Sequence, residues 1–123
     1  MNFNGSTPQS ISGSGTISTT ANSTIVVNNS NGVSLGTNLL IGGTLAMTQG
    51  NIALGGNTLT LGTAIAFPGT LTYTAGYITG TGTFTRWFAT AAIAGNAGLF
   101  PMGVGSNNRS LAIGGSPSTG GPI

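Results

Sequence analysis

The feature that most constrains this chain is a short apolar phrase repeated at a small, steady step. Residues 42–62 read GGTLAMTQGNIALGGNTLTLG, in which Leu45/Met47, Ile52/Leu54 and Leu59/Leu61 form pairs with one residue between their members. Gly, Asn and Gln stand between the pairs. The phrase extends in both directions, to Ile25/Val27, Val33/Leu35 and Leu39/Ile41 before it and to Ile65/Phe67 and Leu71/Tyr73 after it. Alternation with period two marks a strand with one buried face. No i, i+3, i+4 pattern persists, and abundant Gly and β-branched residues disfavour helix.

From residue 39 onward the pairs begin at 39, 45, 52, 59, 65 and 71. Strands of a meander or sandwich are usually spaced by roughly 8–12 residues. Steps of six or seven leave room for a bend but too little for a reversal at every step. Three steps return to the starting side after about 20 residues, which is the arithmetic of a three-sided coil. The pairing this predicts sets Leu39 beside Leu59, Leu45 beside Ile65 and Ile52 beside Leu71. Gly and Asn at the corners tolerate the bends at low steric cost. The expected fold is all-β: a short three-sided parallel β-solenoid of about 20 residues per coil with irregular ends. An antiparallel β-sandwich is the alternative.

Residues 1–88 are assigned to the solenoid and 89–123 to a C-terminal strand and loop extension, packed on the solenoid or on a neighbouring subunit. Within the first part, residues 1–24 carry one or two weak strands. Residues 83–88 read as a strand, 89–94 as either strand or short helix, and 106–113 as a last strand. The tail GGSPSTGGPI reads as loose. The residue between each inward pair points outward. The 20-residue period groups Ala46 with Ala66 and Thr85, Ala53 with Thr72, and Leu40 with Thr60 and Thr79. No side is then a clean threonine ladder, which leaves ice binding a minor reading.

Composition excludes most chemistry. The chain has no Asp, Glu, His, Cys or Lys, and its charged side chains are Arg86 and Arg109. General acid–base catalysis and activated nucleophiles need a proton-exchanging group near neutral pH. Metal sites of the zinc type need His, Cys or carboxylate. The sequence therefore predicts no enzyme, no metal and no cofactor. Two isolated arginines make no basic patch, so nucleic acid is not an expected partner. No apolar run is long enough for a transmembrane helix, so membrane insertion is not expected. Nor does MNFNGSTPQS carry the basic and apolar regions of a signal peptide. With so few titratable groups, stability is expected to be flat from about pH 4 to 9.

More than half of the residues are Gly, Thr, Ser or Asn. Disorder does not explain this, because disordered chains combine low hydrophobicity with high net charge, and the apolar residues here are periodic. The candidates for an interface or ligand contact are the aromatic residues and their neighbour: Tyr73, Tyr77, Arg86, Trp87, Phe88 and Phe100. Trp87 with Phe84, Phe88 and Phe100 reads first as core or interface and second as a sugar-stacking platform. Arg86 stands beside them, able to stack on the indole or to cap carbonyls.

GTLAMTQGNIALGGNTLTLG, GYITGTGTFTRWF and FPMGVGSNNRSL together resemble repeat segments of large exported Bacteroidetes proteins. Those segments share G-x-L-x-[LM]-T-x-G-x-[IL]-x-[LT]-G-x-N-x-L-T-L-G, then G-x-[IFV]-x-R, then FP-[VM]-G-x…R-[PS]-L. The matching positions are 43–62, 82–86 and 100–111, and the resemblance spans most of 10–113. It implies a secreted or surface-exposed protein, often type IX secretion cargo, with an adhesive or structural role and no catalytic residues.

The expected function is a structural subunit or segment of an extracellular or cell-surface fibre or adhesin. It would self-assemble through strand edges as a head-to-tail homopolymer. The alternative is a module that binds carbohydrate, such as a surface polysaccharide, or another surface.

Overall fold

In the computed structural model, which describes residues 1–123, the chain winds through four three-sided coils. The first coil carries β1 (Asn2–Phe3), β2 (Gln9–Ile11) and β3 (Ile17–Thr19). The second carries β4 (Thr24–Asn28), β5 (Val33–Leu35) and β6 (Leu39–Ile41). In the third are β7 (Thr44–Gln49), β8 (Ile52–Ala53) and β9 (Thr58–Leu61); in the fourth, β10 (Thr70–Tyr73), β11 (Ile78–Thr79) and β12 (Thr83–Phe88). Each side is a parallel sheet, ordered β1-β4-β7-β10, β2-β5-β8-β11 and β3-β6-β9-β12. The fold is the parallel β-solenoid that the apolar phrase implies, and the sandwich is excluded.

Inward residues stack in columns. Ile25, Leu45 and Leu71 align on one side, Val33, Ile52 and Ile78 on the next, and Leu39, Leu59 and Phe84 on the third. All nine are buried. Burial of apolar surface at about 25 cal/mol per Å² is the main stabilising term for so narrow a core.

The coil length differs from the expected 20 residues and is not constant. Register advances by 24 residues from the first coil to the second on two sides (Asn2 to Val26, Gln9 to Val33) and by 22 on the third (Ile17 to Leu39). It advances by 19 or 20 from the second to the third (Val33 to Ile52, Ile25 to Leu45, Leu39 to Leu59) and by 25 or 26 from the third to the fourth (Leu59 to Phe84, Leu45 to Leu71, Ile52 to Ile78). Leu39 does pair with Leu59. The expected pairings of Leu45 with Ile65 and Ile52 with Leu71 do not form.

The cause is residues 62–69. Ile65 and Phe67 are not a strand pair; they are exposed at a corner insertion closed on itself by a bridge between Ala64 and Phe67. Thr63 N and Ala64 O both bond to Phe67, which spends the local backbone groups inside the turn. The adjacent Pro68 lacks an N–H to extend a ladder. Leu71 and Tyr73 then take the places beside Leu45 and Met47.

This register also regroups the outer faces. Ala46 lies beside Val26 and Thr72, Ala53 beside Ser34 and Thr79, and Thr60 beside Leu40 and Thr85. One column is threonine throughout, Thr24, Thr44 and Thr70, and a second sheet sets Thr58 and Thr60 against Thr83 and Thr85. The expectation of no threonine ladder is corrected to this extent.

The corners need polar groups because the ladder lapses where the chain bends. Asparagine side chains restore it between coils. The Asn38 and Asn51 side-chain carbonyls each accept from a main-chain N–H one coil on, at Thr58 and Tyr77, both at 2.8 Å. Asn57 Nδ2 donates one coil back to Leu35 O at 2.8 Å, and the fully buried Asn29 reaches Thr7 O at 2.8 Å and Gln9 Oε1 at 3.0 Å. One glycine stack is equally demanding. Gly50 and Gly76 both have φ near +90°, and a Cβ on Gly76 would run into Gly50 O, as one on Gly50 would run into Asn29 O.

The two ends deviate from the expected irregularity in opposite senses. The expected one or two weak strands over residues 1–24 are three, β1 to β3, and complete a first coil before β4 begins at Thr24. Residues 89–123 fold over the last coil of the same chain. They contain a 3-10 turn (Gly95–Gly98), a β13/β16 pair (Leu99–Phe100 with Leu111–Ala112), a β14/β15 pair (Gly103–Val104 with Asn107–Asn108), and β17 (Gly121–Pro122). Residues 89–94 are neither strand nor helix; only Ile93 is tied in, by a bridge to Gly115. The expected single strand over 106–113 is the two short strands β15 and β16. The tail is not loose, since β17 pairs antiparallel with β12.

Candidate functional site

Two places on the molecule depart from a plain coil, and both lie at its ends. At the C-terminal end, strand β12 alternates so that Phe84, Arg86 and Phe88 point inward while Thr85 and Trp87 point outward. Register therefore stacks Arg86 on Leu61 and Ile41, a cation terminating an apolar column. Arg86 is only 2% exposed. Its Nη1 donates to Leu99 O at 2.5 Å and Asn96 O at 3.1 Å, so it ties the overlying segment to the column. The guanidinium carbon lies 5.4 Å from the Phe88 ring centre and 5.7 Å from that of Phe100, within cation–π range. Phe100 in turn meets Phe84 edge-on at 5.6 Å and Phe88 at 6.1 Å. Burial pushes the Arg86 pKa down to about 10, so the group is still a cation at neutral pH. Its Nε is buried with no hydrogen-bond partner.

Of the six residues singled out from the sequence, Arg86, Phe88 and Phe100 are therefore brought together, but as buried packing. Trp87 is half-buried on the outside of β12, opposite Pro122 in register. Tyr73 and Tyr77 lie on other sides. The Tyr73 hydroxyl donates to Gly76 O at 3.0 Å, and burial, then the neighbouring Tyr77, raises its pKa. Tyr77 is half-buried beside Gly103, whose missing side chain lets the ring approach. The six do not form one aromatic platform.

Beside Trp87 is a half-open, mainly apolar pocket of about 230 Å³. It lies between β10 and β12, with Leu71, Arg86, Trp87 and Phe88 on the coil side and Ala91, Ala92 and Ala97 on the other. No apolar pair or motif in the sequence marks these alanines. Their signal is the run ATAAIAGNAG, whose small side chains leave a wall standing off the coil instead of filling the gap.

At the N-terminal end the arrangement is open. Strands β1, β2 and β3 are each the last of their sheet. In parallel strands, alternate residues turn their main-chain groups to opposite sides. Met1, Gln9 and Ile17 bond inward to Val26, Gly32 and Asn38. Asn2, Ser10 and Ser18 consequently turn theirs outward, away from the stack. The column beneath is closed by Phe3, 8% exposed, with Ile11 and the half-buried Ile17.

Comparison of the chain with protein-family models, with curated protein sequences and with solved structures finds no match.

Proposed function

We propose that the chain is a structural segment of an extracellular or cell-surface fibre or adhesin, and that a second copy joins it through the N-terminal rim. The observation that carries this is the set of three outward-facing strand edges at Asn2, Ser10 and Ser18. Unpaired edges invite further strands, and proteins usually blunt them with Lys, inward charge, Pro or a covering segment. No charged side chain stands in the first three coils. The one charge at the rim is the Met1 ammonium, which donates to Thr24 O at 2.7 Å.

The expected head-to-tail stacking narrows under this geometry. At the opposite end the edge of β12 is paired with β17, and Ile78 of β11 donates to Pro101 O at 2.7 Å. A tail contact would have to displace these, although β10 is the last strand of its own sheet. Rim-to-rim contact displaces nothing and is isologous; a filament follows if the covered ends then exchange β17 between copies. The motif resemblance to exported repeat segments supports placing the chain outside the cell. An acid–base catalytic reading has no residue to rest on.

The test is light scattering over a wide concentration range, with negative-stain microscopy of the same samples. Association that Ser10→Pro with Ser18→Pro abolishes, while circular dichroism keeps the β signal, is the expected result. A monomer at every concentration would overturn the reading.

A further inference from the structure

The pocket beside Trp87 carries an inference that does not depend on self-association. We propose that it binds a small apolar carboxylate, with the vacant edge of the Arg86 guanidinium taking the carboxylate and the alanine wall and Trp87 enclosing the apolar body.

Arg86 is 2% exposed, yet the chain contains no acidic side chain to pair with it. A buried, unpaired cation is costly, and an apolar residue would continue the Ile41–Leu61 column with no such penalty. The two carbonyls that Nη1 reaches and the Phe88 and Phe100 rings relieve part of the cost, but no anionic side chain pairs with the cation.

Geometry then selects the ligand. Nη1 faces the chain, at Asn96 O and Leu99 O. Nε has no partner, and Nη2 makes no hydrogen bond within the chain. Nε–H and the neighbouring Nη2–H lie parallel along one edge of the guanidinium plane, the fork that a carboxylate accepts with both oxygens. Nε is shielded from solvent, so engagement with both nitrogens requires the overlying segment to shift; within it residues 89–94 are neither strand nor helix, and the 3-10 turn at Gly95–Gly98 follows.

Size and polarity set the rest of the molecule. A dry cavity of about 150 Å³ accepts benzene. The pocket here holds about 230 Å³, enough for one six-membered ring with a carboxylate. Its walls are mainly apolar, so sulfate, phosphate and acetate gain little from them and lose their hydration. A neutral ring compound fills the same space and leaves the fork unpaired.

Trp87 is the sole tryptophan and lines the pocket, so its fluorescence reports occupancy. Cyclohexanecarboxylate is the probe, with cyclohexanemethanol as neutral isostere and acetate and sulfate as anion controls. The expected result on the full chain is a saturable change with cyclohexanecarboxylate, at least about tenfold weaker with each of the others. Arg86→Met keeps most of the side-chain volume and should abolish the response. Should that variant fail to fold, Ala92→Leu keeps the arginine, fills the wall and should abolish it equally. No saturable response in the native chain, an equal response to the alcohol, or full binding by a folded Arg86→Met or Ala92→Leu chain would overturn the proposal.

Discussion

The two ends of this solenoid solve the same problem by different means. Any stack of coils ends in exposed apolar residues and unpaired strand edges. At the C-terminal end, 35 residues beyond β12 fold back, insert Phe100 among Phe84 and Phe88, and add β17 to the edge of β12. The N-terminal end has one aromatic plug, Phe3, and leaves three edges unpaired. The difference teaches that covering the column and sealing the edges are separable. Phe3 achieves the first without the second.

The largest expected effect tests that separation. Phe100→Ala empties the centre of the C-terminal cover and should cost about 3–5 kcal/mol in denaturant unfolding, the range for a buried Phe. Phe3→Ala should cost less, because its neighbours face solvent on one side and relax into the gap. Equal losses would mean that the ends are equally packed.

Next comes a pair of glycines. Gly76→Ala in the last coil combines φ of +92° with a clash against Gly50 O and should cost about 2–4 kcal/mol. Gly15→Ala in the first coil has φ of +80° and open space around it, so only the backbone conformation opposes it, at about 1–2 kcal/mol. Thermal melts of the two variants give the ranking directly.

The smallest expected effect is one of pH. Burial lowers the folded Arg86 pKa to about 10, below the ordinary guanidinium value. The unfolded chain binds that proton more tightly, so this group's contribution to stability is absent below about pH 10 and grows as pH rises from there toward the ordinary value. Tyr73, pushed upward, runs the other way: its contribution is present below its unfolded value and lost at higher pH. Subtracting the Arg86→Met curve from that of the native chain isolates the arginine. The difference should move in favour of the native chain between neutral pH and about pH 11. A flat difference would show that Arg86 is better solvated than its burial implies.

The core of the fold was legible where sequence spacing equals spatial spacing. Between the second and third coils the register shifts by a residue at the Val27/Asn28 bulge and regains it, so the pairs at Leu39 and Leu59 sit where a 20-residue period puts them. The reading failed where the chain hides a detour that keeps the same cadence. Ile65 and Phe67 have the right spacing and apolarity, and only Pro68 hints that they turn out of the ladder. That slip carried forward and misplaced every outward threonine after it. The ends were harder still. Which of Arg86, Trp87 and Phe88 faces inward follows from strand parity, but what covers them depends on contacts with Asn96, Leu99 and Phe100, which no local pattern announces.

The placement of the two arginines bears on how the protein meets proteases. Trypsin-like enzymes need an exposed basic residue, and Arg86 is sealed in the column while Arg109 is exposed, just before β16. Limited digestion of the native fold should therefore give a single nick, after Arg109. The 14 residues beyond it include β16 and β17, so one cut would leave the cover of the last coil held without a covalent tether, and a chain closed at one end becomes a chain that can be opened there.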